Sequence, residues 1–193
     1  MFRPLHATVI NLTIAVLLIL FNTPASAEVK NEQKVKAAIV YKLLRYISWP
    51  EEAVVSNTIN LCVDQNDPFY SAFSNINGRL VHKRKIVLMH QPPPKSTIEC
   101  QIVFTSEDSR LDALIINAEM KKGVLTISDT MQFAERGGMI NLVVKNNRVR
   151  FKINPHAAYR SELRINSSLL SLADLVETDR SDDNSAASLH ADS

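Results

Sequence analysis

"INLCVDQNDPFYSAFSNING", residues 59–78, passes from a short apolar run into Asp, Asn and Pro, then into a helical pattern that stops at a glycine. The apolar run 59–64 reads as a strand, Pro68 suits the first turn of a helix, and Gly78 suits its C-cap. The unit is therefore strand, helix, turn. Its theme repeats: "KIVLMH" (85–90), "CQIVFTS" (100–106) and "GVLTISD" (123–129) read as strands, and "SRLDALIINAEM" (109–120) reads as a helix. The three prolines of "QPPPKSTIE" (91–99) exclude regular structure between two of these strands. Short apolar strands alternating with helices predict an α/β fold: a single domain with a mostly parallel sheet flanked by helices.

On the N-terminal side, residues 30–47 place Val35, Ile39, Leu43 and Ile47 four apart, with Lys34, Lys36, Lys42 and Arg45 elsewhere on the turn. This is an amphipathic helix pattern. Pro50 disfavours helical geometry at Trp49, so the helix should end by Ser48, with Trp49 as a core plug at its end.

On the C-terminal side, "MINLVV" (139–144) and "RVRFKI" (148–153) flank "KNN". Asn146 and Asn147 tolerate positive φ, which predicts a β-hairpin at the sheet edge. Gly137 and Gly138 follow a short helical stretch around Phe133 and open a strand. A phosphate-binding glycine loop does the reverse, so the pair reads as a C-cap and turn, with Gly138 at positive φ. Asn154 and Pro155 are an N-cap and first helical position. Ser167 or Ser168 should cap a last helix with a stripe of Leu169, Leu172, Ala173 and Val176.

The ends differ in character. Arg3, the apolar run Val9 to Phe21 and the small residues Ala25, Ser26 and Ala27 form the pattern of a cleavable secretory signal, residues 1–27. The mature chain should then begin at Glu28 in the periplasm, with an α/β domain over 28–177. Residues 178–193 contain one leucine and no aromatic, and read as a disordered acidic tail. The formal charge of the chain is +2. No basic face is implied, and nucleic-acid binding has no electrostatic footprint.

Cys62 and Cys100 are the only cysteines. In an oxidising compartment they are disulfide candidates; the other reading is two buried free thiols. A sheet order with strand 59–64 between 85–90 and 100–106 would bring them within bridging reach. The strand ends carry Asp64, Asp67, Ser106, Glu107, Ser128 and Asp129, which could line a ligand cleft, although caps and turns account for such residues as well. His82, His90 and His156 lie outside any zinc-ligand spacing, so no metal is expected. No GxSxG elbow accompanies them, and no cofactor or enzymatic activity is expected. Residue chemistry alone points to an exported binding domain.

The stretches "VKAAIVYKLLRYISWP", "LCVDQNDPF", "INGRLVHKRKIVL", "CQIVFTS", "VLTISDTMQFAERGGMINLVVKNNRVRFKIN" and "LRINSSLLSLADLV" resemble, in order, blocks of the YfiR-like family of bacterial periplasmic proteins. The resemblance runs from Val35 to Val176. It implies a homodimeric repressor of an inner-membrane diguanylate cyclase, bound through the cyclase's periplasmic sensor domain, with cyclic di-GMP and biofilm formation under its control. A small-ligand binding module with a different partner is the alternative. Two departures stand out: Met139 and Val143 lie in a region where some relatives carry a second cysteine pair, and Ser161 and Glu162 replace the small residue and glycine that often end the penultimate helix.

Strand alternation sends Val149, Phe151 and Ile153 inward, leaving Arg150 and Lys152 on the opposite face near His156 and Tyr159. Basic side chains on an edge strand usually protect against edge pairing. The same four residues are also the candidate partner-binding patch, with Tyr159 as aromatic anchor.

Overall fold

A computed structural model describes residues 25–54, 56–90, 100–106 and 122–176. The chain divides into two units, Met1–Glu32 and Gln33–Ser193, and the sheet belongs entirely to the second. Residues 1–24 of the expected signal, the helix at 109–120, the loop at 91–99 and the acidic tail lie outside the described residues, and the last three residues of that signal, 25–27, begin a helix.

In chain order the elements are helix α1 (Ala25–Leu44), β1 (Ile47–Ser48), β2 (Thr58–Val63), α2 (Tyr70–Phe73), β3 (Leu80–Val81), β4 (Arg84–His90), β5 (Ile102–Thr105) and β6 (Leu125–Ser128). They continue with β7 (Ile140–Lys145), β8 (Arg148–Ile153), α3 (Pro155–Arg160), β9 (Arg164–Ile165), α4 (Ser167–Leu170) and β10 (Asp174–Leu175). Eight strands form one mixed sheet in the order β10-β8-β7-β6-β5-β2-β4-β3. The run β4-β2-β5-β6-β7 is parallel throughout. The α/β expectation holds, and the chain places β2 between β4 and β5 as the strand reading required.

Parallel strands need cover on both faces, and their residues show it: every residue of β6 is buried, as are Ile59, Leu61, Cys62 and Val63 of β2. Phe69 and Phe73 follow Pro68 and pack on Phe104 of β5, with ring centroids 4.8 and 4.7 Å from it. Cys62 and Cys100 are joined by a disulfide with Cα atoms 5.8 Å apart. Of the two readings open in the sequence, the bridge is the one realised.

The hairpin turns at Asn146 and Asn147, with φ of 52° and 57°, so both central residues are left-handed as a two-residue turn of this hand requires. β8 is not the bare edge, however. β10 lies parallel beside it and covers Lys152 and Ile153. The sequence stripe of Leu169, Leu172, Ala173 and Val176 predicted a helix there instead. Asn166, not Ser167 or Ser168, is the N-cap, its side chain accepting from Ser168 N at 2.8 Å. The helix then ends after one turn, Leu169 is buried, and Leu172 faces outward.

Helix α1 also departs from its predicted face. Ala37, Val40, Leu43 and Leu44 are buried, whereas Val35 is exposed. The helix stops at Leu44, and its last turn tightens through Arg45 N to Lys42 O and Tyr46 N to Leu43 O. Ile47 and Ser48 then pair with Ile165 and Arg164 as a separate two-stranded ribbon. Trp49 is half-buried against the core, and its indole Nε1–H donates to Gln101 O at 3.2 Å. Among the described residues no helix is long and apolar enough to cross a membrane.

Candidate partner-binding site

The strand-end acids come first, because a small-ligand site would need them free. Asp64 Oδ1 accepts from Asn66 N at 2.8 Å, a local turn bond. Asp67 is buried, and its two carboxylate oxygens accept from Phe69 N at 2.8 Å and Ser106 N at 3.1 Å. Burial pushes the Asp67 carboxyl above its ordinary value despite these bonds, and the nearby charge of Asp129 pushes the same way. Asp129 is occupied in turn by Lys36 Nζ at 2.8 Å, with both side chains largely out of water. Ser128 Oγ donates to Thr130 Oγ1 at 2.8 Å, and Glu107 lies outside the described residues. Asp64, Asp67 and Ser128 brace turns and Asp129 ties α1 to the sheet, while Ser106 Oγ and Asp129 Oδ1 are buried without a partner among the described residues.

The amphipathic pattern of α1 places Lys36 off the apolar stripe. A lysine in an amphipathic pattern normally sits outside; this one is buried because Asp129 at the end of β6 meets its ammonium. Among the described residues no group of three His, Cys, Asp or Glu side chains could hold a metal. His82 Nε2 contacts Ile47 O at 2.9 Å, and His90 stacks on Tyr70.

Helix α3 builds the second region. Asn154 is its N-cap: the side-chain oxygen accepts from Ala157 N at 2.9 Å, while Nδ2–H donates to Ala134 O at 3.0 Å. Ala157 and Ala158 face the core, which turns Tyr159 and Arg160 outward. The helix closes through Leu163 N to Ala158 O and Glu162 N to Tyr159 O, a Schellman closure with Glu162 at φ 59°. Glycine is the usual residue at such a position, and here glutamate occupies it, ion-paired to Lys122.

Tyr159 is 79% exposed. It lines a groove of about 840 Å³ together with Trp49, Pro50, Glu51, Glu162 and Arg164. The sequence named Tyr159 but not its neighbours, because Trp49 meets it only after β1 pairs with β9. Arg150 lines a different groove, of about 440 Å³, with Lys145 and Arg148. Lys152 is half-buried and bonded to Glu135. Burial works against the Glu135 carboxylate, but the Lys152 ammonium and a backbone amide outweigh it and hold its pKa below the ordinary value. His156 is exposed and lines neither groove. The four expected residues therefore divide: Tyr159 belongs with Trp49, Arg150 with the hairpin, and Lys152 with Glu135.

The order of these blocks, from α1 through β10, matches the profile of the YfiR/HmsC-like family over residues 33–174. The chain belongs to the YfiR/HmsC-like family. That family is regulatory and non-catalytic, and membership suggests a periplasmic regulator of diguanylate cyclase signalling. The chain also resembles a solved conserved domain protein from Vibrio cholerae O1 biovar El Tor strain N16961, at 12% identity and a TM-score of 0.49. The match covers 75% of this chain and 60% of that one.

Proposed function

We propose that this YfiR/HmsC-like protein is exported to the periplasm through a cleaved signal and represses a membrane-anchored diguanylate cyclase there. It binds the cyclase's periplasmic sensor domain, acts as a homodimer, and releases the cyclase when an external signal weakens the contact. Cyclic di-GMP then rises and biofilm formation follows. The observation that carries this reading is an aromatic side chain left 79% exposed beside a groove, within the span that matches the family. Tyrosine buries a large area at small entropic cost, and aromatic anchors beside a pocket dominate binding energies at interfaces. The alternative ligand module finds less support at the strand ends, since Asp64 and Asp67 are turned to backbone amides and Asp129 Oδ2 to Lys36, although Ser106 Oγ and Asp129 Oδ1 are buried there without a partner among the described residues.

The test is Tyr159→Ala in cells that carry the cyclase. Lys152→Glu is a poor companion variant, because it would set a second carboxylate against Glu135. The variant should be exported at the wild-type level, melt within a degree or two of wild type and raise cyclic di-GMP. Full repression by a folded, exported Tyr159→Ala protein would remove this groove as the contact.

A further inference from the structure

β7 pairs with β6 only at Ile140 and Asn141, and β8 pairs with β10 only at Lys152 and Ile153. Residues 143–150 consequently project beyond the paired part of the sheet as a two-stranded arm held by its own hairpin register, while Leu142 and Phe151 at its base pack on the core. Its side chains are unusual for a chain so close to neutrality. Lys145 stands directly opposite Arg148, and Arg150, two residues on, shares their face. Like charges in direct cross-strand register disfavour the hairpin. All three side chains are exposed, and none makes an ion pair among the described residues. No acidic residue occurs between Ile140 and Asn154. Lys152, further in, is neutralised by Glu135, so the charge is concentrated at the tip. Beside the cations, Leu172 is 74% exposed and Asp174 is the one acid lining their groove. On the arm's other face Val144 is 49% exposed.

We infer that this arm docks on anionic phospholipid headgroups of a membrane surface. Several cations on one projecting face match a plane of phosphate esters, which guanidinium groups grip with paired N–H donors. Exposed Leu172, beside the cations, supplies shallow apolar contact of the kind that peripheral proteins add to electrostatic attraction. The two-residue turn at Asn146 and Asn147 presents the cations on paired strands, with no long loop to order on contact. The inference goes beyond repression: holding the protein at the bilayer would raise its concentration near any membrane-anchored partner.

The experiment is co-sedimentation of the mature protein with vesicles of about 70% phosphatidylethanolamine and about 30% anionic phosphatidylglycerol, against pure phosphatidylcholine vesicles. The protein should partition onto the anionic vesicles alone, and 0.5 M salt, on the order of a Debye length of 4 Å, should release it. Each basic side chain near an anionic surface contributes about fivefold, so Arg148→Gln with Arg150→Gln should lose about 25-fold in partitioning while melting as wild type. Tyr159→Ala should partition normally, which separates this proposal from the repression contact. Equal binding to neutral vesicles, or undiminished binding of the folded double variant, would overturn it. So would binding of a polyglutamate peptide through the same arginines with no vesicle partitioning, an outcome that would assign the arm to an acidic protein instead.

Discussion

Glu162 sits at φ 59° in a closure that glycine fills at low cost. A left-handed residue with a Cβ gives up roughly 1–2 kcal/mol, and the exposed pair with Lys122 returns little of it. Glu162→Gly should therefore raise stability by about 1 kcal/mol, seen as a higher urea midpoint with an unchanged slope. Strain kept beside a groove is common where function needs a particular shape. Gly138 is constrained differently from the sequence expectation. Gly137 takes the positive φ, 105°, while a Cβ on Gly138 would lie 2.1 Å from the Phe133 ring. The cap reading survives, since Gly138 N to Phe133 O and Gly137 N to Ala134 O form the same closure, although residues 131–137 are turns and not a helix. Gly138→Val should destabilise by about 1–3 kcal/mol or more through overpacking, measured by denaturant unfolding. Asp67 gives a pH signature. Its folded pKa is raised, so the fold binds the proton more tightly than the unfolded chain, and stability falls as pH rises from the ordinary carboxylate range through the raised value. Asp67→Asn should flatten that part of the wild-type stability profile. A difference between the two proteins that does not vary with pH would contradict the assignment.

Where turn chemistry was local, the elements were legible in the sequence. Two asparagines between alternating strands foretold the hairpin, and Asn154 before Pro155 foretold the start of α3. What escaped was tertiary. Ile47 and Ser48 continue a helical pattern, yet β9 captures them as a strand once Asn166 N bonds Tyr46 O. Asp174 and Leu175 sit in a helical stripe but are drawn beside β8. In the same way Lys36 fits a solvent face until Asp129, 93 residues away, comes to meet it. Pairing with a distant partner overrides periodicity in each case, and nothing in the local window encodes the partner. The disulfide belongs to this scale too. It ties β2 to the segment entering β5 and closes a separation of 38 residues, which on the chain-entropy model contributes about 4 kcal/mol. Reduction, or Cys62→Ala with Cys100→Ala, should lower stability by a few kcal/mol. An unchanged denaturation midpoint on reduction would show that the sheet alone fixes these strands.

At the scale of the molecule, the parallel core holds two surfaces in place, and most of its strand-end acids are turned inward to backbone amides and to Lys36. One surface is the Trp49 and Tyr159 groove, assembled where β1 meets β9 beside α3. The other is the basic arm. The sequence named Tyr159 and Arg150 as members of one patch, because alternation and helix phase say which way residues face but not which grooves they enter. The central claim is that the protein acts by direct contact with the cyclase sensor through Tyr159. An interface anchor typically contributes 2 kcal/mol or more, which is about thirtyfold in affinity. The most direct measurement is isothermal titration of the purified mature protein, wild type and Tyr159→Ala, into the purified periplasmic sensor domain of the cyclase. The account predicts a saturable complex with wild type and an affinity at least tenfold weaker for a Tyr159→Ala protein of unchanged melting temperature. No complex with wild type, or equal affinity for both proteins, would contradict it.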